Sequence, residues 1–274
     1  AESLNIETET RKENTMGKGY FAGIDSGSTS TDVVILDRER KIVSSVIMPT
    51  GAGAANGAER ALEEALRQSG LNREDIDAVV TTGYGRTAIS DGDKSITEIT
   101  CHARGAHFLD SSVRTVVDIG GQDSKVIRLN DDGSVKNFVM NDKCAAGTGR
   151  FLEMMAKTME MSLDELSKVG LSYQEDITIS SMCTVFAESE VVSLIAQNKA
   201  IDDIVHGLNK AVAAKTASLV KRVGGEEAYM MTGGVAQNQG LVRTLEERLG
   251  TKLVISDKSQ LCGALGAALF AAEM

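Results

Sequence analysis

The sequence contains no tryptophan and a single proline among its 274 residues. Because proline interrupts both helices and sheet ladders, this scarcity predicts long, continuous helices and strands. Positive charge is also scarce, since 29 Lys and Arg residues stand against 39 Asp and Glu and leave a net charge of −10. Such an acidic chain lacks the basic surface that binds nucleic acid or an anionic membrane, and we expect it to bind neither.

Long apolar segments are absent as well. No apolar run approaches the ~18 residues of a transmembrane helix. The first 19 residues are polar and lack the apolar segment of a signal peptide. We therefore expect a cytoplasmic protein in which residues 1–19 form a disordered extension or a tag. The chain has four cysteines, Cys101, Cys144, Cys183 and Cys262. In a reducing compartment we expect no structural disulfide among them.

What the sequence does contain is an internal repeat. The segments GIDSGSTSTDVVILD and VDIGGQDSKVIRLND align with Asp25 on Asp118 and with Asp32 on Lys125. Each copy has an apolar run, an Asp-x-Gly centre of small residues, and a second apolar run rich in β-branched residues. This pattern predicts a β-hairpin in each half of the chain.

Helices and strands alternate around the two hairpins. GAERALEEALRQSG predicts a helix that ends at Gly70, and SLDELSKVG carries Ser162 and Glu165 at the spacing of a capping box. AYMMTGGVAQNQGLVRTLEERLG predicts a strand, a Gly-Gly turn and a helix, whereas TKLVIS predicts a last strand and GALGAALFAAEM a last helix. The alternation indicates an α/β protein with two similar domains around mixed sheets.

The domain boundaries follow from the positions of the repeats. We expect the first domain to span residues 20–113 and to be joined by the C-terminal helix over 263–274. The second domain would then span 114–262 and carry Cys144 and Cys183.

The duplicated turns indicate a site for phosphate groups. Tight turns of small residues leave several backbone N–H groups pointing one way, and such concavities bind anions. A single Asp-x-Gly turn is ordinary turn chemistry, but two copies in register favour two hairpins that clamp a nucleotide. The residues expected to hold its phosphates are Ser28, Thr29, Ser30 and Thr31 in the first turn and Gly120, Gly121 and Gln122 in the second.

Catalytic roles fall to the acidic residues of the turns. Asp25 and Asp118 are expected to orient Mg²⁺ or its bound waters, because this hard cation keeps much of its water shell. Gln122 or Asp123 is expected to position the attacking water, since in-line attack on a phosphoryl group depends chiefly on orientation.

Cys144, in MNDKCAAGTGRF, allows three interpretations. As a phosphate loop, the segment lacks the Lys-Ser/Thr pair after its glycines, and as a nucleophile, Cys144 has no histidine near it in sequence. A metal site is the third, because thiolates are the usual ligands of iron–sulfur clusters. Cys144 and Cys183 each precede an amphipathic run, so we expect both at helix N-termini, where the positive potential stabilises a thiolate. Burial in a core remains the alternative for two cysteines 39 residues apart with no Cys-x-x-Cys pattern.

Six motifs in order resemble a known family. GYGR, DIGGQD, MNDKCAAGTGRF, CTVFAESE, MTGGVAQN and GALGAAL together resemble the activator ATPases of 2-hydroxyacyl-CoA dehydratases (BadF/BadG/BcrA/BcrD type), a family that also contains the ATP-binding subunits of benzoyl-CoA reductases. The similarity runs from Phe21 to Phe270. It implies duplicated actin-like (ribonuclease H-like) domains that close over ATP, as in actin and sugar kinases. The resemblance also implies that the adenosine side is lined by Gly233, Gly234, Gln237 and Asn238.

The resemblance also implies what the protein does. Cys144 and Cys183 match the ligands of a [4Fe–4S] cluster that is shared between the two subunits of a homodimer. ATP hydrolysis, with Mg²⁺ and ADP as product, would drive single-electron transfer at low potential to an iron–sulfur partner such as a 2-hydroxyacyl-CoA dehydratase, with ferredoxin or flavodoxin as the donor. Cys101 and Cys262 are expected to be buried.

Three alternatives remain open. The partner could be a benzoyl-CoA-type or another double-cubane reductase, or the chain could be a small-molecule kinase or an ATP-dependent scaffold of the same superfamily. One position also departs from the family pattern: many relatives have Lys at the end of the first phosphate loop, where this chain has Asp32. This departure weakens the assignment to any particular dehydratase.

Overall fold

The computed structural model describes residues 19–180 and 183–274. The chain divides into two compact units, one that runs up to Gly105 and includes the C-terminal Gly263–Met274, and one over Ala106–Cys262. The sequence placed the change of domain at 113/114, and the division instead falls inside a helix. The extension expected over residues 1–19 lies, up to residue 18, outside the described residues.

The first unit is built on a five-stranded sheet in the order β3-β2-β1-β4-β5. Its central strand β1 pairs antiparallel with β2 and parallel with β4. The strands are β1 (Tyr20–Ser26), β2 (Ser30–Leu36), β3 (Ile42–Pro49), β4 (Ile76–Thr82) and β5 (Lys94–Ser95). The helices are α1 (Ala54–Ser69), α2 (Glu98–Leu109), which continues into the second unit, and the C-terminal α8 (Cys262–Ala271), with 3₁₀ turns at Arg73–Asp75 and Arg86–Ala88.

Helix α1 shows why the sequence specifies this unit. Ala58, Ala61, Leu62 and Ala65 recur at helical spacing, and all four are buried in one apolar cluster with the sheet. The helix ends, as predicted, at Gly70, whose φ of 69° is the left-handed conformation that glycine adopts at low cost.

The second unit has a five-stranded sheet in the order β10-β9-β6-β7-β8. The strands are β6 (Thr115–Ile119), β7 (Ser124–Leu129), β8 (Val135–Asn141), β9 (Tyr229–Thr232) and β10 (Leu253–Val254). The helices are α3 (Gly149–Thr158), α4 (Leu163–Lys168), α5 (Thr184–Ala196), α6 (Ile201–Val223) and α7 (Gln239–Leu249), with a 3₁₀ turn at Gly234–Gln237. The predicted capping box of Ser162 and Glu165 is present at the start of α4.

The two sheets repeat one topology. In the second unit β6 pairs antiparallel with β7 and parallel with β9, as β1 does with β2 and β4 in the first. This confirms the predicted α/β fold with two similar mixed sheets. Among the described residues, no helix is both long enough and apolar enough to span a bilayer.

Candidate functional site

The first Asp-x-Gly turn joins β1 to β2. The Gly27 amide donates to the Ser30 carbonyl at 2.9 Å and closes the turn. Thr50, which directly follows β3, fixes the turn: its amide donates to the Thr29 carbonyl at 3.0 Å and its hydroxyl to the Gly27 carbonyl at 2.9 Å. Ser28 and Thr29 are exposed. The backbone of the turn is therefore fixed while its tip is open to a ligand, as an anion site requires.

Asp25 lies beside this turn, with glycines close to its carboxylate. A Cβ added at Gly83 would lie 2.3 Å from Asp25 Oδ1, and one at Gly263 would lie 2.0 Å from Oδ2 and 2.8 Å from His102 Cε1. Gly83 also has a φ of 85°. The GYGR and GALGAAL motifs thus supply glycines where any side chain would collide with the predicted magnesium-orienting residue.

Asp32 stands directly opposite Asp25 in the antiparallel register of β1 and β2. It is only 6% exposed, and among the described residues its Oδ1 has no hydrogen-bond partner. Burial, and then the negative charge of Asp25, raise the pKa of Asp32 to about 8, although a hydrogen bond with Ser30 and the charge of His102 lower it. The first hairpin therefore places two carboxyl groups side by side.

The second hairpin carries a different set of charges on the same backbone. The Gly120 amide donates to the Asp123 carbonyl at 3.0 Å and closes the turn. Lys125 stands opposite Asp118, and its Nζ lies 2.9 Å from Asp118 Oδ2 and 3.1 Å from Asp123 Oδ2. The Thr232 hydroxyl donates to Asp118 Oδ1 at 2.8 Å. Both carboxylate oxygens of Asp118, which is 1% exposed, therefore have donors.

Neither Lys125 nor Thr232 was predicted as a site residue. The repeat alignment contained the signal for Lys125, because a hairpin with a turn of known length fixes which residues face each other. Thr232 could not be found in this way, since it reaches Asp118 from β9, which is far away in sequence.

The MTGGVAQN element follows β9 as a turn and a short 3₁₀ helix. Gly233 has a φ of 81°, and a Cβ there would lie 2.4 Å from the Ile119 carbonyl oxygen. Gly234 and Gln237 are exposed, whereas Asn238 is buried and its Oδ1 accepts the Leu241 amide at 2.9 Å as the cap of α7. The predicted adenosine-side residues therefore divide into two exposed positions and two that hold the turn and the helix.

The structure corrects the prediction that Cys144 begins a helix. Helix α3 begins only at Gly149, after the N-cap residue Thr148. The Thr148 amide and hydroxyl both donate to the Ala145 carbonyl, at 3.0 Å and 2.7 Å, and Gly147 has a φ of 84°. This tight left-handed turn is incompatible with an earlier helical start. Cys144 therefore lies exposed in a loop.

This loop is tied to the second Asp-x-Gly turn. The first two amides of α3, those of Gly149 and Arg150, donate to the carbonyls of Gly120 and Gly121, each at 2.8 Å. Amides in the first turn of a helix have no acceptor within the helix. Here they find one in the turn predicted to hold phosphate, a connection that the sequence did not reveal.

Cys183 stands, as predicted, at the N-terminus of a helix, since it is the N-cap residue of α5, and its side chain is exposed. The Thr158 hydroxyl of α3 donates to Glu188 of α5 at 3.1 Å and joins the helices that follow the two cysteines. Ser180 donates its amide and its hydroxyl to Glu190 Oε2, each at 3.0 Å, which joins Ser180 to α5.

The other two cysteines are buried, as expected. Cys101 and Cys262 are both 0% exposed, and burial raises the pKa of the Cys101 thiol to about 12. Cys101 is therefore a protonated thiol at neutral pH and a poor metal ligand. In the described part of the chain, no group of three or more His, Cys, Asp or Glu side chains is placed to hold a metal ion.

Comparison with known proteins identifies the family. Residues 22–271 match the BadF/BadG/BcrA/BcrD ATPase family. The chain belongs to this family of ATPases. Among curated proteins of the family, it is 50% identical over 252 residues to the 2-hydroxyisocaproyl-CoA dehydratase activator of Clostridioides difficile, a match that covers 92% of this chain and 94% of the relative.

Solved structures agree with the family assignment. The activator of the 2-hydroxyisocaproyl-CoA dehydratase from Clostridium difficile with bound ADPNP superposes with a TM-score of 0.89 at 49% identity, covering 93% of this chain and 94% of that one. A ROK family glucokinase from Streptomyces griseus gives a TM-score of 0.58 at 14% identity, covering 93% and 100% of the two chains. The glucokinase shows the fold alone, and it confirms the predicted relation to the fold of sugar kinases.

Proposed function

We propose that this BadF/BadG/BcrA/BcrD-family ATPase is a reductive activator. It couples ATP hydrolysis to the transfer of single electrons, at low potential, from a [4Fe–4S] cluster to an iron–sulfur partner such as a 2-hydroxyacyl-CoA dehydratase. The observation that carries this proposal is the pair of hydrogen bonds from Gly149 and Arg150 to the second turn. These bonds connect the predicted nucleotide site to the segment that carries Cys144.

On the nucleotide side, the exposed tips of the two turns bind the phosphates. The donors in the first turn are the backbone amides and hydroxyls of Ser28, Thr29 and Ser30, with Thr31 behind them. In the second turn the phosphate lies against Gly120, Gly121 and Gln122, and the amides of Gly121 and Gln122 are the donors because the Gly120 amide closes the turn. Asp25 and Asp118 orient Mg²⁺ or its waters, and Gln122 or Asp123 positions the attacking water. Gly233, Gly234, Gln237 and Asn238 form the adenosine side.

On the cluster side, the donor set fits an iron–sulfur cluster. Cys144 and Cys183 have exposed side chains, and Cys183 lies at the positive end of α5, where the potential favours an anionic cluster. A cubane takes four such ligands, and a two-fold dimer presents each cysteine twice. When bound, the cluster supplies the electron that is transferred.

An exposed apolar face next to Cys183 supports this stoichiometry. Val185, Phe186 and Val192 of α5 are 63%, 67% and 52% exposed. Large apolar side chains that stay exposed on one helix commonly mark an interface. A second copy of the chain seated there would bury them and bring the two Cys183 residues towards each other.

Coupling follows a continuous path within the second unit. A shift of the Gly120–Gly121 carbonyls on nucleotide exchange changes the acceptors of the first α3 amides. Helix α3 then acts on α5 through the hydrogen bond from Thr158 to Glu188. A coupling free energy of about 1.4 kcal/mol would shift the one-electron potential of the cluster by about 59 mV.

Donor and partner are proposed by class. A ferredoxin or a flavodoxin refills the cluster, and the partner is a 2-hydroxyacyl-CoA dehydratase or, as the alternative, a benzoyl-CoA-type or another double-cubane reductase. A small-molecule kinase, whose fold the glucokinase shares, would require a phosphoryl acceptor site and no iron. Iron and sulfide content therefore separates the activator from the kinase.

A proline at position 150 tests the coupling. Because proline is tolerated in the first turn of a helix, Arg150→Pro removes the amide that donates to Gly121 and, with the side chain, an ion pair with Glu153 on the same helix. Asp164→Pro, at the same position of α4, is the matched control. Protein purified without oxygen should contain about four iron atoms per two chains. In the wild type and the control, the rate at which a chelator removes iron should differ between ADP and a tight ATP analogue.

Arg150→Pro should keep its iron and lose most of this difference. Equal chelation rates for the wild type with ADP and with the ATP analogue would contradict coupling. A protein that is folded, binds ATP and contains no iron would contradict the activator and favour the kinase.

A further inference from the structure

We propose that Asp25 and Asp32 together bind one divalent cation in the first unit, and that they do so in the absence of nucleotide. The proposed function gives Asp25 a role only towards the Mg²⁺ that accompanies ATP and gives Asp32 none. The cation site is thus a separate property of the chain, and it requires neither the cluster nor a partner.

The internal repeat gives the first argument. Residues directly opposite in an antiparallel pair lie on the same face of the sheet, with their Cβ atoms about 5 Å apart. In the second hairpin this position holds Lys125, whose ammonium group lies 2.9 Å from Asp118. In the first hairpin the same position holds Asp32. One copy of the motif therefore supplies a cation from its own side chain, whereas the other supplies a second carboxyl group.

The second argument is an atom that needs a partner. Asp32 Oδ1 is buried and, within the described residues, accepts no hydrogen bond. A buried polar atom that has left water without a partner costs free energy, and native structures seldom tolerate one. A cation between Asp32 and Asp25 would take the place of the proton that the raised pKa keeps on Asp32. It would give this oxygen its partner and balance the charge of the two carboxylates.

Two groups that can carry positive charge, Arg86 and His102, lie near the pair. Arg86 Nη1 donates to the Gly83 carbonyl at 2.9 Å, and His102 Nδ1 lies 2.9 Å from the Glu98 carbonyl oxygen. His102 also approaches Asp25 across Gly263, so it shares the environment of the pair. The neighbouring Cys101 is a neutral thiol at physiological pH.

The donor set selects a hard divalent cation. Mg²⁺ is commonly held by one or two carboxylates and completes its octahedron with water or phosphate oxygens. Asp25 is only partly buried, so water can complete the shell on its side. The exposed tip of the first turn begins two residues later, where the open positions of the cation can meet the phosphates of an incoming nucleotide.

Mn²⁺ is the probe for this site. Full-length protein stripped of nucleotide and loosely bound metal is titrated with Mn²⁺, and the unbound ion is followed by its EPR signal. Wild-type protein should bind one Mn²⁺ per chain at this site, and Asp32→Asn should weaken that binding by about tenfold or more. Glu39→Gln, which removes an exposed acid from the turn after β2, is the matched control and should bind as the wild type does.

A lysine at position 32 keeps the test decisive if Asp32→Asn folds poorly. Asp32→Lys recreates the charge arrangement of the second hairpin and should fold, abolish this Mn²⁺ site and remove the rise in melting temperature that Mn²⁺ gives the wild type. Nucleotide-free binding that is equal in wild type, Asp32→Asn and Asp32→Lys would overturn the proposal. Wild-type protein that binds Mn²⁺ at this site but does not hydrolyse ATP would contradict the proposed function and leave the cation site supported.

Discussion

The two Asp-x-Gly hairpins share one backbone topology but carry opposite charges at one equivalent position. Asp25 faces Asp32 in the first hairpin, whereas Asp118 faces Lys125 in the second. The second hairpin is electrostatically complete, since its buried carboxylate has an ammonium group and a hydroxyl as donors. The first has a buried carboxyl oxygen with no hydrogen-bond partner among the described residues.

The difference shows how a duplicated motif can divide its tasks. A hairpin with its own lysine needs no further cation to balance its buried carboxylate. Under the proposed function, a nucleotide there would act on the turn and on helix α3, which is hydrogen-bonded to it. A hairpin with two carboxyl groups depends on a proton or a metal ion for neutrality. Under the two proposals, the second hairpin transmits the nucleotide state, while the first responds to the cation.

Removal of either exposed cysteine should have the largest effect, because Cys144 and Cys183 both lie in the second unit. Cys144→Ser and Cys183→Ser should each abolish the cluster and electron transfer, since two thiolates per chain leave no spare ligand. ATP binding should be largely retained, because neither side chain belongs to a phosphate turn. Iron analysis and ATP titration check this, with Cys101→Ala as a control that keeps its iron. A full iron content in either serine variant would exclude that cysteine as a ligand.

Asp118 should matter more for turnover than any other single carboxylate of the second hairpin. Asp118→Asn keeps the shape of the side chain and removes the charge that orients Mg²⁺, so ATP turnover should fall by about 10²–10³-fold. Steady-state phosphate release measures the change, with Asp131→Asn, an exposed acid in the turn after β7, as the control. Turnover within a few-fold of the wild type would remove Asp118 from the catalytic residues.

The facing residues of the two hairpins should have opposite effects on stability. Lys125→Met leaves the buried Asp118 without its ammonium partner and should lower the free energy of unfolding by about 3–5 kcal/mol. Asp32→Met, measured in EDTA, removes a buried carboxyl group and should leave stability unchanged or raise it. Denaturant titration of both variants measures this, and a loss of similar size in both would mean that the two positions are equivalent.

The sequence was a good guide wherever geometry is local. The hairpins, the end of α1 at Gly70 and the capping box at Ser162 all follow from short patterns, because turns and helix caps depend on the conformations of a few neighbouring residues. The same patterning, matched to the family motifs, predicted the two similar mixed sheets.

Prediction failed where a local signal was misread or where distant segments meet. The amphipathic run after Cys144 predicted a helix that begins at Cys144. The left-handed Gly147 and the N-cap residue Thr148 instead set its start at Gly149. The bonds from α3 to Gly120 and Gly121, and the reach of Thr232 to Asp118, join segments far apart in the chain. Such contacts follow from tertiary packing, which periodicity does not encode.

The smallest expected effect is a dependence of stability on pH that only the first hairpin should show. The pKa of Asp32 is about 8 in the folded protein, whereas the ordinary value for an aspartate is 3.8. The folded state therefore keeps a proton that the unfolded chain releases once the pH exceeds its ordinary pKa. This contribution to the free energy of unfolding is fully present at acid pH, falls as the pH rises towards 8, and then levels off.

Asp32→Asn has no such proton to lose. In EDTA, the stability of the wild type relative to Asp32→Asn should decline between about pH 4 and pH 8, and Mg²⁺ at the upper end should restore it by replacing the lost proton with a cation. Parallel stability profiles for the two proteins would show that Asp32 titrates normally and that the two hairpins differ in sequence but not in electrostatics.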